Sequence, residues 1–248
     1  MKRAQIPQKS ASSSATPWRP FDALVAYLAL SVLPLGIAIW TYFLGRVGFI
    51  SSSAGRIFLR DDPFAAFVQY VAALIVEIGI VLGLMRLRKA TVSQLGLAGF
   101  KWRWVFAVLG LYILQAIVVV VLFTAIQTFS PSTDLSQKQE VVNFGTTHWA
   151  VIASFVAAVF IAPILEELIF RGIMFQALDA KLPTWAAAVV SSAAFGWLHG
   201  QLNVGIYTFV LGLLLVWLFR RSKSIYPGIL LHMLNNAVAF WFILQLGK

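Results

Sequence analysis

The run Phe160-Ile161-Ala162-Pro163-Ile164-Leu165-Glu166-Glu167-Leu168-Ile169-Phe170-Arg171 sets two carboxylates and a guanidinium inside an otherwise apolar helix. An ionisable side chain at the centre of a membrane helix costs about 2.5 to 3.5 kcal/mol by insertion scales. The chain has only nine Asp and Glu residues. Placing two of them side by side in such a helix marks them as functional candidates.

The rest of the composition agrees with a membrane setting. Of 248 residues, 60% are hydrophobic and 11% charged, whereas a soluble domain carries about 25% charge. Mean hydropathy is +0.85. The expectation is an all-α, polytopic membrane helix bundle of seven or eight transmembrane helices, with its site in an intramembrane cavity. The net charge of +10 does not call for nucleic acid, because the basic residues lie in short loops between apolar spans, as the positive-inside rule describes. Cysteine is absent, which excludes disulfides, thiolate metal sites and a cysteine nucleophile.

A span needs about 20 apolar residues. On that rule helices are expected near 22–45, 64–86, 104–127, 149–175, 183–200, 203–220 and 225–246. Residues 1–20 read as a flexible basic tail, and 21–248 as a single membrane domain with its catalytic core at 149–245. Residues 90–103, carrying Leu95, Leu97, Phe100 and Trp102, suit an interfacial segment. The polar stretch 128–148, with Asp134, Lys138, Glu140 and His148, reads as an extracytoplasmic connector. With a cytoplasmic N-terminus and alternating helices, 14 of the 19 Lys and Arg residues fall inside. That bias favours the orientation and a multi-pass protein of the cell membrane.

Besides Glu166, Glu167 and Arg171, the second half holds His199, His232, Asn235 and Asn236 within its spans. Polar groups at that depth face a cavity, pair with one another and mark a functional path. Glu167 and Arg171 are four residues apart and can pair on one helix face. Glu166 lies about 100° round the helix, so the pairing leaves it available. Phe195 and His199, and His232 and Asn236, repeat the four-residue spacing. The second of these pairs presents an imidazole and a carboxamide able to donate to a developing oxyanion. If the fourth helix continues to about 180, Glu166 and His199 differ in depth by roughly 5 Å at about 1.5 Å per residue. They can then face each other across a hairpin. Levelling His232 with them needs tilt, a short helix or a break. Gly200, Gly205, Gly212, Pro227 and Gly228 offer places for one.

Glu166-Glu167-x3-Arg171, Phe195-x3-His199 and His232-x3-Asn236, in that order on successive helices, resemble the three motifs of the CAAX prenyl endopeptidase and bacteriocin-processing (CPBP, Abi) family of glutamate intramembrane proteases. The resemblance covers about residues 149–245. It implies an intramembrane endopeptidase in which Glu166 is the general base and His199 helps to bind and polarise the water. His232 and Asn236 would stabilise the oxyanion, with Glu167, Arg171 and Phe195 in support. No cofactor or metal is implied. The partners are a peptide or lipidated protein substrate and the lipid bilayer, with no nucleic acid.

Two other readings compete. Glu166, His199 and His232 are all possible zinc ligands, although no H-E-x-x-H pair lies on one helix. A non-enzymatic scaffold or transport protein could also hold charged groups in the membrane, although no inverted repeat is visible. The plainer reading of Glu167 and Arg171 is an ion pair that fixes packing. Asn235 reads as a helix–helix hydrogen-bonding residue. Glu77, mid-span in the second helix, is a lone carboxylate that could line the cavity.

Overall fold

Inside a bilayer every backbone N–H and C=O must find a partner without water, which leaves helices as the spanning element for a chain of this pattern. The computed structural model describes residues 16–46, 63–135 and 144–246. Among these residues there are helices and no strand. Seven long helices run in order: α1 (Pro20–Arg46), α2 (Pro63–Arg88), α3 (Trp104–Phe129), α4 (His148–Asp179), α5 (Thr184–Trp197), α6 (Leu202–Ser222) and α7 (Tyr226–Leu246). Five segments, within α2, α3, α4, α6 and α7, are long and apolar enough to cross a membrane. The protein is a polytopic membrane helix bundle.

Two helices depart from the expected spans in ways that matter for the site. Helix α4 does not stop at 175 but runs on to Asp179, and the chain turns at 180–183. Helix α5 has 14 residues, a length of about 21 Å against a hydrocarbon core of about 30 Å. Gly200, with φ of 68°, turns the chain back into α6. Close packing holds this hairpin. A Cβ on Gly196 would sit 2.6 Å from the Gly205 carbonyl oxygen, so only glycine permits that approach.

One end of the bundle is tied by a connector. After α2, a 3-10 turn (Val92–Leu95) buries Leu95, whose carbonyl oxygen would lie 2.7 Å from a Cβ on Gly172 of α4. Gln176 on α4 donates to the Gln94 carbonyl at 2.8 Å. The Ile225 N–H donates to Gly96 at 2.9 Å, and the Ser224 hydroxyl to Ala98 at 3.1 Å. Segment 90–103 is therefore partly core rather than wholly interfacial, although Phe100 and Trp102 stay exposed. Arg88 forks onto Asp22, with Nη2 at 2.8 Å and Nε at 2.9 Å, joining the end of α2 to the start of α1. The same end gathers Arg19, Arg86, Lys89, Lys101, Arg103, Lys181, Arg220, Arg221 and Lys223.

Residues 1–15 of the expected tail, and Lys138 and Glu140 of the expected connector, lie outside the described residues. The last part of that tail is already packed. Trp18 is buried, and its indole N–H donates to Gln94 at 3.3 Å. An apolar ring placed just before the helix gains by covering the connector.

Candidate active site

Helix α4 supplies the carboxylates, and its backbone is irregular on both sides of them. A π-turn covers Ala157–Ile161 and a second covers Leu168–Phe175, with α-helical Ala162–Glu167 between. Such bulges inside α-helices concentrate at functional sites. Each one shifts the register of the following residues and so re-aims side chains.

Among the described residues, Arg171 is the largest fully buried side chain. Its Nη1 lies 2.7 Å from Oε1 of Glu167, itself completely buried. Nη2 donates to the Gly212 carbonyl of α6 at 3.2 Å. The guanidinium also lies over the Phe195 ring at 4.8 Å, a favourable cation–π placement in a desolvated site. The expected Glu167–Arg171 pair is thus present, and it docks α4 onto α5 and α6.

Glu167 does more than pair with Arg171. The same Oε1 lies 3.3 Å from Nδ1 of His232 on α7. A carboxylate accepts, so Nδ1 carries the proton there. On the other edge of the ring, Nε2 stands 3.6 Å from Oε2 of Glu166, whose side chain keeps 17% exposure. Arg171, Glu167, His232 and Glu166 form one chain of charge across α4 and α7. The second oxygen of Glu167, Oε2, is buried and has no hydrogen-bond partner among the described residues. It faces Gly228, where a Cβ would stand 2.9 Å away.

His199 sits just beyond the C-terminus of α5. Its Nδ1 is 3.0 Å from the Phe195 carbonyl, an acceptor in the last turn that the ending helix leaves open. A carbonyl only accepts, so Nδ1 is the donor and the neutral ring keeps Nε2 as an acceptor. Phe195 is the common wall of the site. Its buried ring meets Phe170 at 5.0 Å, His199 at 5.3 Å and His232 at 5.5 Å, all edge to face. Among the described residues, Glu166 reaches His232 directly, and no hydrogen bond joins it to His199.

Asn236 donates through Nδ2 to the Ala158 carbonyl of the first π-turn at 2.8 Å, leaving its second N–H available. Asn235 turns away from the carboxylates. Its Oδ1 accepts from Gln115 Nε2 on α3 at 3.2 Å and from the Tyr207 hydroxyl on α6. That agrees with reading Asn235 as a helix–helix hydrogen-bonding residue. Glu77 on α2 is 7% exposed and lies within electrostatic range of Glu166. It therefore borders the same polar interior.

Two contributors were not legible as site residues: the Gly212 carbonyl and Gly228. Glycines within α6 and α7 were the available signal, because glycine in a helix interior marks close approach. Which group approaches was not encoded locally. Among the described residues, no group of three or more His, Asp or Glu side chains is arranged to hold a metal ion.

Residues 148–238 match the family described as Type II CAAX prenyl endopeptidase Rce1-like. The chain is also 35% identical over 97 residues to "Putative membrane peptidase YdiL" of Bacillus subtilis (strain 168). That alignment covers 39% of this chain and 39% of the relative, so the chain spans well under half the length of the curated relative it matches. No solved structure matches. The family resemblance read from the three motifs is borne out over residues 148–238, the stretch that holds all three motifs.

Proposed function

We propose that the protein is a metal-free intramembrane endopeptidase that hydrolyses a peptide bond in a membrane-associated or lipidated protein. The carrying observation is the convergence of Glu166, Glu167 and His232 inside the membrane, within the stretch that matches the endopeptidase family.

A water molecule held by the Glu166 carboxylate and by Nε2 of His199 has both protons engaged and a lone pair free. Glu166 takes one proton as the oxygen adds to the scissile carbonyl carbon. The negative charge then moves to the carbonyl oxygen, where the His232 ring and the second N–H of Asn236 receive it. With Nδ1 committed to Glu167, His232 donates from Nε2 only as the doubly protonated ring, and the two glutamates flank that cation. Collapse breaks the C–N bond, and Glu166 returns its proton to the leaving nitrogen. Glu167 and Arg171 act through His232 by holding its orientation. Phe195 keeps both imidazoles in place and excludes water.

The basic residues collected at the connector end favour placing that end, and the N-terminus, in the cytoplasm of a cell membrane. The test compares membrane peptides from cells carrying the wild type, Glu166→Gln or His199→Ala, with folding checked by gel filtration. A product that accumulates only with the wild type identifies the substrate. Undiminished cleavage by folded Glu166→Gln overturns the reading.

A further inference from the structure

The first π-turn of α4 carries no ionisable residue, yet side chains from two other helices reach its carbonyls. In this turn the Ala162 N–H donates to Ala157, five residues back. The next donor in that register would be residue 163, and its acceptor would be Ala158. Residue 163 is proline, which has no N–H. The Ala158 carbonyl is therefore left open at membrane depth, where an unsatisfied acceptor is costly. Asn236 fills it from α7 at 2.8 Å. Beside it, the Tyr70 hydroxyl from α2 lies 3.4 Å from the Ala157 oxygen.

A carboxamide has two N–H groups and one oxygen in a single plane. Once one N–H is bound to Ala158, the directions of the other N–H and of Oδ1 are set. Asn236 is one helical turn beyond His232, so that plane decides whether the free N–H points where the His232 ring points. A freely turning amide would pay rotamer entropy on each turnover, and a held one does not.

We propose that Pro163 is a positioning residue for Asn236, acting through the carbonyl of Ala158. The inference rests on the peptidase reading above for its kinetic consequence, but not for the hydrogen bond itself. Pro163 lies three residues before Glu166, so one proline stands beside the base and frees the carbonyl that orients the oxyanion donor. An N–H at position 163 supplies Ala158 with a backbone partner in competition with Asn236.

The experiment has two readouts on the full chain in detergent micelles or bicelles. The chain has four asparagines, so selective 15N labelling of Asn side chains yields few signals, and Asn236→Ala identifies the one that matters. In the wild type, one Asn236 amide proton should be shifted downfield and protected from exchange relative to its twin. In Pro163→Ala and Pro163→Gly that asymmetry should shrink. Glycine restores the N–H with a freer backbone, so it serves if alanine prevents folding. Kinetically, both variants should lose about 5- to 10-fold in kcat, the worth of one hydrogen bond, with KM unchanged. Asn236→Ala should then cost less in the Pro163→Ala background than in the wild type. Equivalent, rapidly exchanging Asn236 protons in the wild type overturn the proposal, as does an unchanged signal in both proline variants. A wild type without peptidase activity refutes the functional reading and leaves the amide signal to decide the positioning.

Discussion

Removing the guanidinium of Arg171 tests whether the buried chain of charge is one unit. In Arg171→Met the side chain keeps much of its apolar volume, but the 2.7 Å contact to Glu167 disappears. So do the bond to Gly212 and the contact with the Phe195 face. Glu167 is then a fully buried carboxylate with only His232 beside it, and its Oε2 already lacks a partner. Breaking a buried pair from one side costs about 3–5 kcal/mol. For a chain of this size each kcal/mol moves Tm by about 2–4 °C, so the midpoint should fall by roughly 6–20 °C. In Glu167→Gln/Arg171→Met the lone charge is gone, and replacing both members of such a pair is often close to neutral. The double variant should recover most of the loss, giving a coupling of about 2–4 kcal/mol in the cycle. Unfolding is followed by intrinsic fluorescence, since the chain has nine tryptophans. One scan rate is used throughout, because irreversible unfolding makes the midpoint rate-dependent. Additive losses, or a single variant as stable as the wild type, would refute the claim that Glu167 depends on Arg171.

Gly228→Ala places a methyl carbon 2.9 Å from Glu167 Oε2 while Oε1 is held by Arg171 and His232, so the carboxylate has little room to yield. A loss of about 1–3 kcal/mol is expected from overpacking, with kcat falling further as His232 is displaced. Thermal midpoints and turnover on the same preparation check it. Treatment of the purified protein with a chelator should leave turnover unchanged. A loss that added zinc restores would transfer the mechanism to a metal.

Much of this protein was readable locally because its solvent is a bilayer. Seven or eight membrane helices were expected, and the described residues hold seven long helices, five of them long and apolar enough to span, since the apolar runs and the basic loops obey a one-dimensional rule of length and charge. The Glu167–Arg171 pair was readable for a similar reason, as spacing along one helix fixes which side chains are neighbours. The end of α4 was harder, because the apolar run stops at Gln176 while the helix itself continues to Asp179. The packed Trp18 was missed because a polar, proline-rich stretch gives no hint of the connector that it covers.

The sequence by itself determined the all-helical membrane fold, the three motifs and their order, and the split between a paired Glu167 and an available Glu166. Only the tertiary structure decided which imidazole meets the carboxylates. His232 on α7 bridges both glutamates, while the His199 ring is fixed by the Phe195 carbonyl at the end of a short α5. That outcome depends on where α5 ends, on the π-turns of α4 and on how closely α7 approaches at Gly228. Each is a relation between helices, and helical periodicity fixes directions within a helix but not the distance to the next one.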